Sequence, residues 1–335
     1  MLWGSVLGGY PRSGYVRHEM RDAERGDSAF LFHEAAIALA SASVIGTQVA
    51  SGMRYATDGM IDFHDIFRPF ARSWRNVSID GLIRYFDNNF FYRIPVFNGE
   101  PDPARFVWAS RVKAFKSISS PIGMKVVIPG PLSFLLMGKN ESGLKERELG
   151  YSIAKAISLE AKAAEKAGAA VMQIDEPILS DQEINDDLGD LEVELLSIIS
   201  SSIRLPTILS IYFDVPRKEI YEKIINAKVD YISLDVADSP RRAMELINAK
   251  GFGDKRPVLG LIDARRIHDD NYDKIKDMAR SVAKNHEEVG ITTTTWFDTI
   301  PYSFAIRKTQ LLGIYLERLG NDLKLEVINP ITEVR

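Results

Sequence analysis

The stretch AAVMQIDEPIL, residues 169–179, decides the fold. It opens as an unbroken apolar run of strand length and stops at Asp175, Glu176 and Pro177, so two carboxylates stand where a buried strand leaves its sheet. Residues 144–167, just upstream, are rich in Ala, Glu and Lys and read as a helix, with Gly168 as a left-handed stop. Helix, tight turn, buried strand and acidic tip make up the repeating unit of a parallel α/β barrel, a fold that does its chemistry at the C-terminal ends of its strands.

The unit recurs in both directions. Strands are predicted at 2–7, 53–57, 124–128, 169–174, 207–212, 230–234, 258–262 and 291–296. Helices are predicted at 27–51, 103–117, 144–167, in the segment ending at 203, and at 217–227, 240–249 and 272–289, the last with Gly290 as its stop. Eight strands alternating with helices predict a (β/α)8 TIM barrel filling residues 1–335 as a single domain. Two segments depart from the pattern between the second and third strands. Residues 61–74 read as a helix kinked by Pro69, and RYFDNNFFYRIPVF, 84–97, reads as an insertion lying over one end of the barrel.

Composition narrows the function. With 42 Lys and Arg against 46 Asp and Glu there is no basic surplus to drive nucleic-acid binding. Zero cysteines exclude disulfides, thiol nucleophiles and thiolate metal sites. No apolar run reads as long enough to cross a bilayer, and MLWGSVLGGYPR lacks a basic region before its apolar residues, so it reads as a first strand in a cytoplasmic protein.

The predicted tips carry Arg12, Asp58, Asp175, Glu176, Asp214, Asp235, Asp263 and Asp298, an acidic ring around one mouth. Helix capping accounts for Asp58, Asp214 and Asp298 without a function. It accounts less well for Asp175 and Glu176, because Pro177 follows them directly; these two are the catalytic candidates, able to orient an amine or act as general base. After the first strand the glycines of GGYPRSG allow close backbone approach to a ligand, and Arg12, Arg17, His18 and Arg21 form either a solvated helix start or an anion site. His64 has no second histidine one turn away and reads as a packed or surface residue.

QIDEPIL resembles the signature of cobalamin-independent methionine synthase. GYPR at 9–12 with HEMR at 18–21, RYFDNNFFY at 84–92, PGPLSFLLMGK at 129–139, SIYF at 210–213 and LGLIDAR at 259–265 resemble that family's amino-terminal barrel. The resemblance implies a role in methyl transfer to homocysteine, with a methylated folate or other pterin as co-substrate. It implies substrate binding by Arg12, His18, Arg21, Arg84, Asn89, Asp235 and Asp263, Arg84 standing where the family has a Lys on the donor's glutamate tail. It also implies a zinc ion held by His, Cys, Glu and Cys in a carboxy-terminal barrel. Here Ser210 and Tyr212 stand at the His and first Cys positions, Asp235 at the Glu position, and the last Cys position falls within 292–298. One carboxylate cannot close a tetrahedral zinc site, so no family-type metal site is expected and a separate zinc-bearing barrel is the expected partner. Carboxylates alone raise a neighbouring thiol's pKa, which argues against a complete synthase in this chain. An independent barrel methyltransferase or decarboxylase acting on another small acid, and a non-catalytic structural subunit, are the alternatives.

Overall fold

The computed structural model describes residues 1–86 and 89–331. Its strands are β1 (Leu2–Gly4), β2 (Tyr55–Ala56), β3 (Trp74–Arg84), β4 (Phe91–Pro103), β5 (Gly123–Pro129), β6 (Lys139–Asn140), β7 (Val171–Asp175), β8 (Thr207–Ile211), β9 (Tyr231–Asp235), β10 (Arg256–Ile262) and β11 (Val289–Thr293). Eight of them form one parallel sheet in the order β1-β11-β10-β9-β8-β7-β5-β2. The sheet curls until its edges meet, where Arg54 N donates to Gly4 O at 2.8 Å across the seam. The result is the expected (β/α)8 barrel, nearly closed.

The insertion between the second and third barrel strands is an antiparallel hairpin of β3 and β4, to which β6 adds a short parallel edge. Its tip folds over the barrel mouth. Tyr85, Phe86 and Phe90 pack on Phe213, just past β8, with ring centroids 5.8, 5.9 and 5.3 Å apart. The aromatic density of 84–97 is therefore a lid contact as well as core. Asp87 and Asn88 of that stretch lie outside the described residues.

Local chemistry sets the helices. Glu146–Ala167 opens with Glu148 accepting from Lys145 N at 3.0 Å and ends at Gly168 with φ 101°, the left-handed stop its sequence calls for. Glu160, buried in this helix, accepts from Trp74 Nε1 at 3.1 Å and from Val107 N, tying the hairpin and helix Val107–Ser119 to the barrel.

Three expectations change. Residues 14–25 form a full helix, with Ser13 accepting from Val16 N and Gly26 as a left-handed cap. Residues 61–67 are not helical: Met60 and His64 have positive φ, and the helix starts only at Arg68, where buried Asp65 accepts from the backbone N–H groups of Phe67 and Arg68. The helix from Tyr272 ends at Ala283, and Gly290 lies in β11. A Cβ on Gly290 would sit 2.6 Å from Trp3, so packing rather than helix termination requires glycine there.

Helix Phe30–Ala50 is, by length and composition, apolar enough to cross a membrane, contrary to the expectation from sequence. It packs as the barrel helix between β1 and β2, burying Ala36, Ser41, Val44, Ile45 and Gln48.

Candidate functional site

Register in a parallel sheet puts partnered residues on the same face, so one face carries Lys125, Gln173, Asp175, Ser210, Ser233, Asp235, Gly260 and Thr292. That face is the barrel interior, because its hydrogen bonds cross the lumen. Buried Lys125 Nζ donates to Val6 O at 2.6 Å and to Gln173 Oε1 at 2.8 Å. Gln173 Nε2 in turn donates to Leu7 O at 2.9 Å and to Asp175 Oδ1 at 2.7 Å. Below this layer an apolar plug closes the barrel: Trp3 meets Tyr55 and Tyr231 edge to face at 5.5 and 5.6 Å, with Val171, Ile208 and Val258 in the same cluster.

The relay ends beneath the mouth. Asp175 Oδ2 accepts from Trp296 Nε1 at 3.1 Å and from Tyr212 OH at 3.2 Å. Burial pushes the Asp175 carboxyl up to about 6, against the hydrogen bond from Gln173 and the pull of Lys125, while burial draws the Lys125 ammonium down to about 7. Both groups can therefore change charge near neutrality.

Above Trp296 opens a cavity of 620 Å³. Its walls include Arg12, Arg17, Phe63, His64, Asn89, Phe90, Phe91 and Asp298. Arg12 Nε is fixed on Ile61 O at 2.6 Å. Burial, with Arg12, Arg68 and Arg72 around it, pulls His64 down to about 4, so its imidazole is neutral. Asp298 stands exposed at the rim facing Arg12; the surrounding protein pushes its carboxyl upward and the Arg12 charge opposes that push. Gly8 and Gly9 are needed for Trp296 rather than for a ligand directly, since a Cβ on Gly8 would lie 2.4 Å from the indole Nε1.

The acidic ring does not assemble as expected. Asp58 is buried and paired with Arg111 at 2.7 Å, Asp214 pairs with Arg242, and Asp235 lies inside the barrel, where Asp238 N donates to its Oδ1 at 3.1 Å. Asp263 accepts from Arg265 N and faces a separate groove between helices Pro240–Lys250 and Tyr272–Ala283. Glu176 does not join Asp175: its carboxylate accepts from Leu132 N, Ser133 N and Ser133 Oγ at 2.9, 2.8 and 2.5 Å, capping helix Pro131–Met137. A Cβ on Gly130 would collide with it at 2.0 Å. Glu192 is buried beside it. Burial and the neighbouring carboxylate push Glu192 well up, and burial raises Glu176, so the two acids retain a proton.

Of the sequence-level site residues, the structure brings Arg12 and Asn89 into the cavity wall and Asp175 beneath it. His18 and Arg21 lie on the exposed face of helix Gly14–Arg25, bonded to each other at 2.9 Å, while Arg17 of that helix reaches the wall. Arg84 is exposed at the end of β3. Trp296, Tyr212 and His64 were missed as site residues, and so was the Lys125–Gln173 relay. The signal for the relay was present, because Lys and Gln interrupt the otherwise apolar strands GMKVVIP and VMQID.

The residues at the family's zinc positions do not fit that ion. Ser210 Oγ and Asp235 Oδ2, and Thr292 Oγ1 within the 292–298 segment, are buried without a hydrogen-bond partner, Tyr212 OH donates to Asp175, and the Asp235 carboxyl is pushed well up by burial and by Asp238. Neutral hydroxyls and a carboxyl that resists ionisation are poor donors for Zn2+.

Comparison with known proteins agrees with this architecture. Residues 44–287 match the family model described as cobalamin-independent synthase, N-terminal domain. The methionine synthase of Saccharolobus solfataricus is 26% identical over 290 residues, covering 85% of this chain and 83% of its own. That of Sulfolobus acidocaldarius is 23% identical over 311 residues, with 91% and 88% covered. Among solved structures, a B12-independent methionine synthase from Shewanella superposes with a TM-score of 0.80 at 17% identity, covering 96% of this chain and 98% of that one. The chain belongs to the cobalamin-independent methionine synthase family, in its N-terminal-domain branch.

Proposed function

We propose that this barrel binds a methylated pterin or folate donor at its mouth and serves methyl transfer to homocysteine together with a separate zinc-bearing barrel. The observation that carries the reading is the composition of the cavity. Its aromatic walls, Phe63, Phe90, Phe91 and Trp296, suit a flat heterocycle, and Arg12 and Arg17 suit a carboxylated tail. Asp175 below can hold a proton or a charge, oriented by the indole N–H and the phenol that donate to it. Family membership supports the reaction class, and the absence of cysteine supports assigning thiol activation to another chain.

In this reading Arg84, at the rim of the lid hairpin, takes the distal end of the donor's tail. Calorimetric titration with methylated tetrahydropteroylglutamates tests it. Arg12→Ala is expected to weaken binding by at least about tenfold, Arg84→Ala by less, both with unchanged circular dichroism. Equal affinity in wild type and Arg12→Ala removes the donor site from the mouth.

A further inference from the structure

Among the described residues, four exposed large apolar side chains gather on helix Phe30–Ala50. Phe30, Leu31, Phe32 and Leu39 are 73, 79, 68 and 70% exposed, a concentration that soluble proteins ordinarily hide. The stripe continues through exposed Ala35, Ala38 and Gly46 and half-buried Ala42. The helix cannot turn this face inward, because its other face already packs on the barrel through Val44, Ile45 and Gln48, with Gln48 bonded to Thr57 O at 2.9 Å. The neighbouring helices Val107–Ser119 and Tyr302–Leu323 carry exposed Ile118 and Ile314.

We propose that this face seats a second copy of the chain, the two helices packing antiparallel about a two-fold axis near Ala38 and Leu39. Three features select a copy of itself. The bulky residues lie at one end of the stripe and the smallest at the other, so antiparallel pairing lays Leu31 of one protomer over Gly46 of its partner and Ala35 over Ala42. A Cβ added to Gly46 would meet nothing within 4 Å, so packing within the protomer does not explain a glycine there. The only ionisable side chains in the helix are His33 and Glu34, so two copies meet without like-charge repulsion and a charged partner finds little to read. Leu31, Phe32 and Leu39 expose roughly 400 Å² per protomer on this side of the helix, Phe30 pointing away from it, and closing two such faces together with the small residues of the stripe removes about 1,000 Å², the threshold for a specific interface.

Sedimentation velocity of the full chain at micromolar concentration tests the proposal, and is expected to show a species of twice the monomer mass. The double change Leu31→Glu and Leu39→Glu is expected to weaken association at least about a hundredfold without altering circular dichroism, since both residues are exposed in the protomer. The cysteine-free sequence allows a second, independent test: Ala38→Cys introduces a single thiol beside the axis and is expected to form a disulfide-linked dimer under mild oxidation. A wild-type monomer overturns the proposal. So does a dimer indifferent to the glutamates, or a monomer that sediments with zwitterionic lipid vesicles through this same face.

Discussion

The two ends of the barrel are built on opposite principles. At the base the charged groups are answered, and only the Trp3 indole Nε1, held by ring packing, is buried there without a hydrogen-bond partner among the described residues. Trp3, Tyr55 and Tyr231 interlock, and Glu288 takes Arg54 at 2.5 Å and Arg256 at 3.3 Å, with the Arg256 guanidinium 3.9 Å from the centre of the Tyr231 ring. At the mouth the accounts stay open. Ser210, Asp235, Thr292 and Thr295 keep buried polar atoms without hydrogen-bond partners, and Met60, His64 and Phe213 hold positive φ. Lys125 and Asp175 sit at the boundary, with charges that burial opposes. The difference teaches where this fold stores its stability and where it leaves room for chemistry.

The comparison breaks most visibly at the base. Trp3→Ala is expected to cost about 3–5 kcal/mol in urea denaturation while ligand affinity at the mouth holds, provided the protein is kept below its new midpoint. If affinity falls in parallel with stability, the two ends are not independent.

A smaller effect comes from the Glu176 and Glu192 pair. Both carboxyls are raised in the fold, so the folded state holds protons that the unfolded chain releases. The resulting stabilisation is complete below the ordinary glutamate value of 4.5 and is lost as pH rises through the raised values. Wild-type stability is expected to fall by at least about 1 kcal/mol between pH 5 and pH 8, and Glu192→Gln to flatten that decline. An unchanged slope in the variant assigns the pH dependence to other groups, Glu160 first, since burial lifts it to about 7.

The smallest expected effect sharpens the picture at Asp175. Asp175→Asn keeps the shape and changes stability by about 1 kcal/mol or less, because it removes a charge that the interior disfavours. Trp296 donates to that carboxylate, so wild-type fluorescence is expected to titrate near pH 6 and the variant's to lose that step. A step that persists in the variant places the titrating group elsewhere.

Most of the fold was legible in the sequence because barrel strands are short apolar runs with punctuated ends. Asp175 was legible for the same reason, as a charge where such a run stops. Glu176 looked equivalent by proximity, yet successive side chains on a strand face opposite ways, and its orientation makes it a cap for a neighbouring helix. Trp296 and Tyr212 could not be joined to Asp175 from sequence: they lie 121 and 37 residues away and meet it only when the cylinder closes. The helix at 14–25 was obscured by its charge, although Ser13 and Gly26 marked its ends.

One bond pattern at the seam bears on how such a molecule is made. Leu2 N donates to Glu326 O at 2.7 Å and Ile328 N to Leu2 O at 2.8 Å, so a segment near the end of the chain lies alongside the first strand. During synthesis β1 therefore waits for a neighbour some 325 positions downstream, and a nascent chain must carry an unfinished sheet edge until that segment leaves the ribosome.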